Sequence, residues 1–348
     1  MLHFLLLLAA TPVAAADTSP KPEVTRTFKD WVVGCDNHRF CMAMSLETPD
    51  GNENQAPITI YRASGPNSLA KVTIDVSMFK DFQLTVDDEW VLHRSPDAQA
   101  KIRYCGDDAR DLIQKMADAD HIFVRDSRDS TSGSLDNHGR TSLAGLKAAL
   151  FYMDDQQGRV DTSTALIRPG TKTISNASLS YSVTFVRPPA SKKTPRRISP
   201  QALQKLYDGH GCSSDQLSQN QQPISARLDA DNSLFVVHWA CGGGAYNFFA
   251  DTLIVDEQGN MHTARFDIGA GMTGEEVGNI MVNARWIAPL RLLESFEIGR
   301  GMGDCGRRRR FVWDGEMFRL AQQEEMNECR GAAGFIQTFN ANVFDRKN

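Results

Sequence analysis

Apolar positions along the chain change period from stretch to stretch, and each period predicts an element. Val72, Ile74 and Val76 alternate with polar neighbours, the pattern of a strand with one buried face. Residues 111–119 predict a short helix. Residues 141–157 predict a longer one, with Leu143, Leu146, Leu150 and Met153 on one stripe and Gly158 as its stop. A stripe of that kind must be covered, so this half predicts a core helix packed on a sheet. Beyond residue 198 the pattern changes. Ser199 is a good N-cap, Pro200 suits a first helical turn, Leu203, Leu206 and Tyr207 share a face, and Gly209 closes the helix. Residues 234–239, 246–255 and 261–266 then form β-branched, aromatic or apolar runs parted by short turns such as Asp256-Glu257-Gln258-Gly259. Residues 310–313 and 316–320 flank Asp314-Gly315, a pair favoured in two-residue hairpins. An antiparallel meander is the expectation there.

Proline and charge in Arg187-Pro188-Pro189-Ala190-Ser191-Lys192-Lys193-Thr194-Pro195-Arg196-Arg197 exclude a packed strand or a stable helix, so this segment reads as a linker. A length of 348 residues favours two domains over one. The expected fold is α+β: an N-terminal α+β domain over 17–186, a linker over 187–198, and a mainly antiparallel β domain over 199–348, stabilised by disulfides. Residues 1–16 read as a signal peptide. Phe4-Leu5-Leu6-Leu7-Leu8-Ala9-Ala10 is followed by Ala14-Ala15-Ala16, which predicts cleavage near Ala16. The apolar run is shorter than the roughly 20 residues needed to span a bilayer, and no later run is long enough. The expected location is therefore periplasmic or secreted.

Charge narrows the partners. The chain carries 38 Lys+Arg against 43 Asp+Glu, a net −5, which argues against nucleic-acid binding. Seven cysteines in an oxidising compartment read as a disulfide framework. Spacing makes Cys35 with Cys41, Cys212 with Cys241, and Cys305 with Cys329 plausible pairs, although six thiols allow 15 connectivities for each choice of the seventh. Cys105 is left over and is expected to be a buried free thiol, packing as a small hydrophobe. The Cys35–His38–Cys41 spacing suits neither a structural zinc site nor a Cys-x-x-Cys dithiol, so neither a metal nor a cofactor is expected.

Other motifs are partial. Gly301-x-Gly303-x-x-Gly306 matches the dinucleotide fingerprint in letters but precedes a strand rather than a helix, and so reads as a tight loop. Asp229-x-Asp231-Asn232-Ser233 resembles the start of a calcium loop, but Ala240 stands where the closing acid belongs. Neither His-Glu-x-x-His nor Gly-x-Ser-x-Gly occurs. Arg300, Arg307, Arg308, Arg309 and Arg310 form a dense basic cluster with two readings. One is an anion site, aided by Asp304 and Tyr246; the other is a solvated strand edge.

Several segments resemble one exported bacterial family of unknown function, number 1176 of the domain-of-unknown-function series. They are Phe28-x-x-Trp31-x-x-x-Cys35-Asp36-Asn37…Cys41, Leu146-Lys147-Ala148-Ala149-Leu150 through Asp154-Asp155-Gln156-Gln157-Gly158-Arg159, and Cys241-Gly242-Gly243-Gly244-Ala245-Tyr246-Asn247. The most specific is Gly299-Arg300-Gly301-Met302-Gly303-Asp304-Cys305-Gly306 with Trp313-Asp314-Gly315. The resemblance covers nearly the whole mature chain. It implies an exported Gram-negative protein and a six-cysteine pattern that maps onto the three pairs, from which Cys105 departs. The Trp-x-x-x-Cys opening is also similar to the invasion-associated locus B proteins, exported proteins linked to host-cell entry. Neither resemblance implies a catalytic residue.

The leading expectation is a non-enzymatic periplasmic binding or envelope-associated protein. Its ligand residues would be Arg300, Asp304, Arg307, Arg308, Arg309, Arg310 and Tyr246, and its partner an envelope ligand or another protein. The alternatives are an enzyme assembled from distant residues, with Asp304, His238, Asp267 and Cys105 as candidates, and a thiol–disulfide helper using Cys35 and Cys41.

Overall fold

The computed structural model describes residues 20–51, 56–79, 82–87, 89–91, 94–126, 138–174, 180–211, 222–239, 245–271 and 279–346. Six antiparallel strands open the chain: β1 (Arg26–Phe28), β2 (Trp31–Cys35), β3 (Cys41–Ser45), β4 (Ile58–Arg62), β5 (Lys71–Asp75) and, at the edge beside β5, β8 (Lys101–Cys105). Alternation sends Trp31, Val33, Ile58, Ile60, Val72, Ile74 and Ile102 to one face, where they are buried. Helices α1 (Gly106–Ala117) and α2 (Leu146–Gln156) supply Leu112, Ile113, Leu146, Leu150 and Met153 to the same core. A four-stranded sheet of β6 (Phe82–Val86), β7 (Glu89–Trp90), β9 (His121–Asp126) and β10 (His138–Ser142), in the order β10-β9-β6-β7, adds Phe82, Leu84, Ile122 and Val124.

Both helices in this half differ from expectation at their starts. α1 begins five residues earlier, because the chain turns at Gly106 (φ 64°) directly out of β8. α2 begins later than residue 141. Thr141 and Ser142 are paired with β9, and Gly145 turns the chain at φ 96° before the first helical residue. Leu143 is buried all the same, which is why it extends the helical stripe in the sequence.

The second half opens with α3 (Pro200–His210). Ser199 Oγ accepts the Ala202 N–H at 3.2 Å, and the helix closes at Gly211 (φ 66°), not at Gly209. Leu203, Leu206 and Tyr207 pack on Phe235, Val237, Leu253 and Val255. Those residues lie in a sheet of β12 (Ile224–Arg227), β13 (Ser233–Trp239), β14 (Phe249–Val255) and β15 (Met261–Thr263), with β16 (Ile280–Val282) also pairing with β14. A further sheet runs in sequence order through β17 (Arg285–Ile287), β18 (Leu292–Ile298), β19 (Gly306–Trp313), β20 (Phe318–Met326) and β21 (Ile336–Asn340). Leu234, Val236, Ile254, Phe266, Leu293, Phe311, Phe318 and Phe339 fill a second core between these sheets. β11 (Thr184–Arg187) pairs in parallel with β22 (Asn342–Asp345).

The β19–β20 turn has four residues, not two, since Trp313 pairs with Phe318. The Asp314 carboxylate sets it by accepting the Glu316 and Met317 N–H groups, both at 2.8 Å. Taken together, the chain is mostly β, with three α-helices among the described residues, several antiparallel sheets and two disulfides. Its helical share is smaller than the α+β label implies. A third apolar cluster joins Val32, Met44 and Leu46 to Cys305, Met326 and Ile336, so β20 and β21 cover the outer face of β2 and β3. No helix among the described residues is long and apolar enough to cross a membrane.

Candidate functional site

Cys35 and Cys41 face each other across β2 and β3 and form one disulfide; Cys305 and Cys329 form the other. Cys35 and Cys41 are only 2% and 0% exposed, so no thiolate can reach their sulfurs without opening the sheet. Cys212 and Cys241 lie outside the described residues. Cys105 is free and exposed, not buried. Alternation on β8 explains the correction: Ile102 and Tyr104 take the inner face, which leaves positions 101, 103 and 105 outside.

The arginine run is neither a solvated edge nor one anion patch, because β19 is the central strand of its sheet and alternation divides the run between two faces. On the core side Arg307 pairs with Glu297 at 2.8 Å, and Arg309 donates to Gln323 Oε1 at 2.9 Å and to the Gly269 carbonyl. Burial pushes Arg309 down to about 10. On the opposite face Arg308 lies 4.4 Å from the Phe296 ring and 5.0 Å from that of Phe335, and bonds Glu324 at 3.2 Å. Arg310 bonds Glu294 at 2.8 Å and Gln322 at 2.6 Å. The cluster is thus largely neutralised by its own cross-strand partners.

The remaining members of the expected patch sit at the β18–β19 loop. Arg300 bonds both oxygens of Asp304, at 2.7 and 2.5 Å, and this bond holds the Asp304 carboxyl below its ordinary range. Asp304 also accepts the Gly331 N–H at 3.1 Å, and half-exposed Tyr246 donates to the Gly299 carbonyl at 3.4 Å. A Cβ on Gly299 would lie 2.8 Å from Cys305 Sγ, so the tight loop read from its glycines is closed against the disulfide.

The candidate enzyme residues share no partner. His238 is buried in β13, donates to the Ala284 carbonyl at 3.0 Å and is pushed down by burial. Asp267 accepts the Leu320 N–H at 2.9 Å, and burial pushes it up to about 6. Asp304 is committed to Arg300, and Cys105 lies on another sheet. Asp229 accepts the Asp231 and Asn232 N–H groups and the Trp313 indole N–H, so it fixes a turn. Among the described residues no three His, Cys, Asp or Glu side chains are grouped to hold a metal ion.

The site that sequence reasoning missed lies on the outer face of α2. Ala148, Phe151 and Tyr152 recur at helical spacing opposite the buried stripe, so this helix is apolar on two faces. With Phe28 and Ile167 they line a cavity of about 560 Å³, joined by Lys147 and Asp155. The Phe28 and Tyr152 rings are 6.1 Å apart, and the Arg168 guanidinium lies 5.6 Å from the Phe151 ring. Such a volume falls in the usual range for small-ligand sites, which are mostly apolar with a few polar groups. The signal was present in the sequence as a second apolar stripe.

Comparison with known proteins places the chain. The family model described as "Protein of unknown function (DUF1176)" matches residues 25–338. The chain belongs to this family. "Uncharacterized protein YpfG" of Escherichia coli (strain K12) is 27% identical over 354 residues, covering 94% of each chain. The crystal structure of invasion associated protein b from Bartonella henselae matches 38% of this chain and 98% of that one at 14% identity, with a TM-score of 0.26, too low to carry an argument.

In this DUF1176 chain the Asp154–Arg159 stretch fixes one wall of the groove. Buried Asp154 accepts from Arg62 Nη2 at 2.5 Å and from the N–H groups of Leu166 and Ile167 at 2.7 and 3.2 Å. Gln157 Nε2 donates to the Arg39 and Arg62 carbonyls at 2.7 and 3.0 Å. Arg159, pushed down to about 10 by burial, donates to Thr164 Oγ1 at 2.8 Å. The loop carrying Ile167 is therefore held against α2 by buried polar bonds, and the groove is pre-formed.

Proposed function

We propose that this chain is an exported, non-enzymatic binding protein that holds the apolar part of an envelope component in the groove over α2. The carrying observation is the pre-formed apolar cavity of about 560 Å³ on a helix whose other face is already buried. Export is supported by the signal-like first sixteen residues and by two disulfides, which persist in oxidising compartments. Of the two domains read at 17–186 and 199–348, the groove belongs to the first, whose last strand, β11, pairs with β22 of the second. The arginine-rich segment serves as framework rather than as the mouth of the site.

Burying a methylene is worth about 0.8 kcal/mol, so four of them give about 3 kcal/mol, roughly a hundredfold in affinity. The test is titration of the mature protein with a fluorescent fatty acid, for wild type and for Ala148→Trp, which fills the groove from an exposed helical position. Saturable binding by wild type and at least tenfold weaker binding by A148W are expected. A wild-type chain that takes up no acyl probe, or an A148W chain that binds equally well, ends this reading.

A further inference from the structure

A second cavity, of about 340 Å³, lies at the β8 edge of the six-stranded sheet and is lined by Arg94, Ser95, Asp97, Lys101 and Arg103. Its one carboxylate is engaged by the protein itself. Asp97 Oδ1 accepts the N–H groups of Gln99 at 2.9 Å and Lys101 at 3.0 Å, and Oδ2 accepts Arg103 Nε at 2.7 Å. Asp97 thus fixes the turn into β8, where Ala100 sits at φ 55°, and aims Arg103 along the outer face. Arg94 is tethered by Asp108 at the start of α1 and lies 5.6 Å from the Tyr104 ring. Its Nε–H is buried without an acceptor. The Lys101 ammonium takes part in no ion pair among the described residues.

Arg94 and Arg103 are paired with Asp108 and Asp97, whereas Lys101, which stands opposite Asp75 across the β5–β8 pair, makes no ion pair among the described residues. An anion in the cavity would give the Lys101 ammonium a partner. We propose that this cavity binds a small oxyanion group, with phosphate as the class that fits. Lys101, Arg103, Ser95 and Arg94 line one space. Phosphate has enough acceptor oxygens for donors on several sides, whereas a carboxylate has two. On the same face β5 carries Lys71, whose ammonium lies 5.9 Å from the ring of Tyr61 on β4. This is where the remainder of a phosphate-bearing molecule would lie. The site shares no residue with the α2 groove, so either assignment can fail alone.

The experiment is calorimetric titration of the full mature chain with inorganic phosphate and with glycerol phosphate at low salt. Saturable binding that weakens as salt rises is expected, with Lys101→Glu at least tenfold weaker and its melting temperature unchanged. Cys105 gives a second readout. It stands two residues beyond Arg103 on the same face, roughly 7 Å along the strand. Phosphate should slow its reaction with a dianionic aromatic disulfide and leave its reaction with neutral iodoacetamide alone. Vesicles of phosphatidic acid and of phosphatidylcholine separate the sources. Phosphate-competed capture of the former only identifies a lipid headgroup, and phosphate binding with no vesicle capture identifies a soluble phosphate compound. No saturable phosphate binding, K101E binding equal to wild type, or acetate binding as tightly as phosphate would overturn the proposal.

Discussion

Asp267 shows how much one half-buried carboxyl can matter. Its Oδ1 is bonded to the Leu320 N–H, but Oδ2 is buried with no partner, and burial pushes the group up to about 6. The folded state therefore holds this proton more tightly than the unfolded chain, whose aspartates titrate near 3.9. Below that value both states are protonated and the group is neutral in its effect. Between about 4 and 6 stability falls as pH rises, and above 6 the full cost applies, at most about 3 kcal/mol. Asp267→Asn keeps the acceptor for Leu320 and removes the ionisation. Urea denaturation at pH 5 and pH 8 should show the variant gaining on wild type at the higher pH and matching it near pH 4. Parallel pH profiles for the two proteins would mean that Oδ2 is solvated in the folded chain.

At the scale of elements, glycines decide where helices stop and start, and only some of that could be read in advance. Gly158 ends α2 as its position suggests, at φ 64°. Gly209 and Gly211 flank a single histidine, and no local pattern separates the one inside α3 from the one that closes it. Gly145 was hidden because buried Leu143 continues the apolar stripe across it. A Cβ at Gly145 would lie 1.8 Å from the Phe28 carbonyl oxygen, at a φ that side chains rarely adopt, whereas one at Gly209 meets nothing within 4 Å. Gly145→Ala should therefore cost about 3 kcal/mol, combining backbone strain with a shift of β1, and Gly209→Ala should stabilise by about 0.5–1 kcal/mol. Thermal melts of the two variants check this, and similar effects from both would refute it. The same local limit explains the missed groove. Periodicity identified the stripe of α2 that the core covers, but not which segments would frame the opposite one. Phe28 and Ile167 are more than a hundred residues apart.

Across the whole molecule, the first and last strands are stitched by bonds that no local pattern announces. Arg330 donates to Asp30 at 2.6 Å and to the carbonyls of Glu47 and Lys29 at 2.7 and 2.8 Å. Gln337 bonds Asp36 at 2.7 Å, and Asn37 donates to the Asn340 carbonyl at 3.0 Å. These bonds surround the cluster of Val32, Met44, Leu46, Cys305, Met326 and Ile336. A strand's alternation says that Val32 and Met44 face away from the first core. It does not say that β20 and β21 will cover them from about 300 residues away. The Cys305–Cys329 disulfide holds the segment from which Arg330 reaches across, and its sequence separation is 24 against 6 for Cys35–Cys41. Chain entropy alone values the longer closure at about 3.5 kcal/mol and the shorter at about 2.3 kcal/mol. Cys35, Cys41 and Cys305 are buried and Cys329 is exposed, so the cavity cost is larger for the C35A/C41A pair and narrows this gap, but only the longer closure also holds the Arg330 anchor. C305A/C329A should thus lose more stability in urea than C35A/C41A. It should also expose residues 327–332 to protease, because the anchor beside Arg330 is gone. If C35A/C41A proves the weaker protein, the long-range closure is not what holds the last strands over the first sheet.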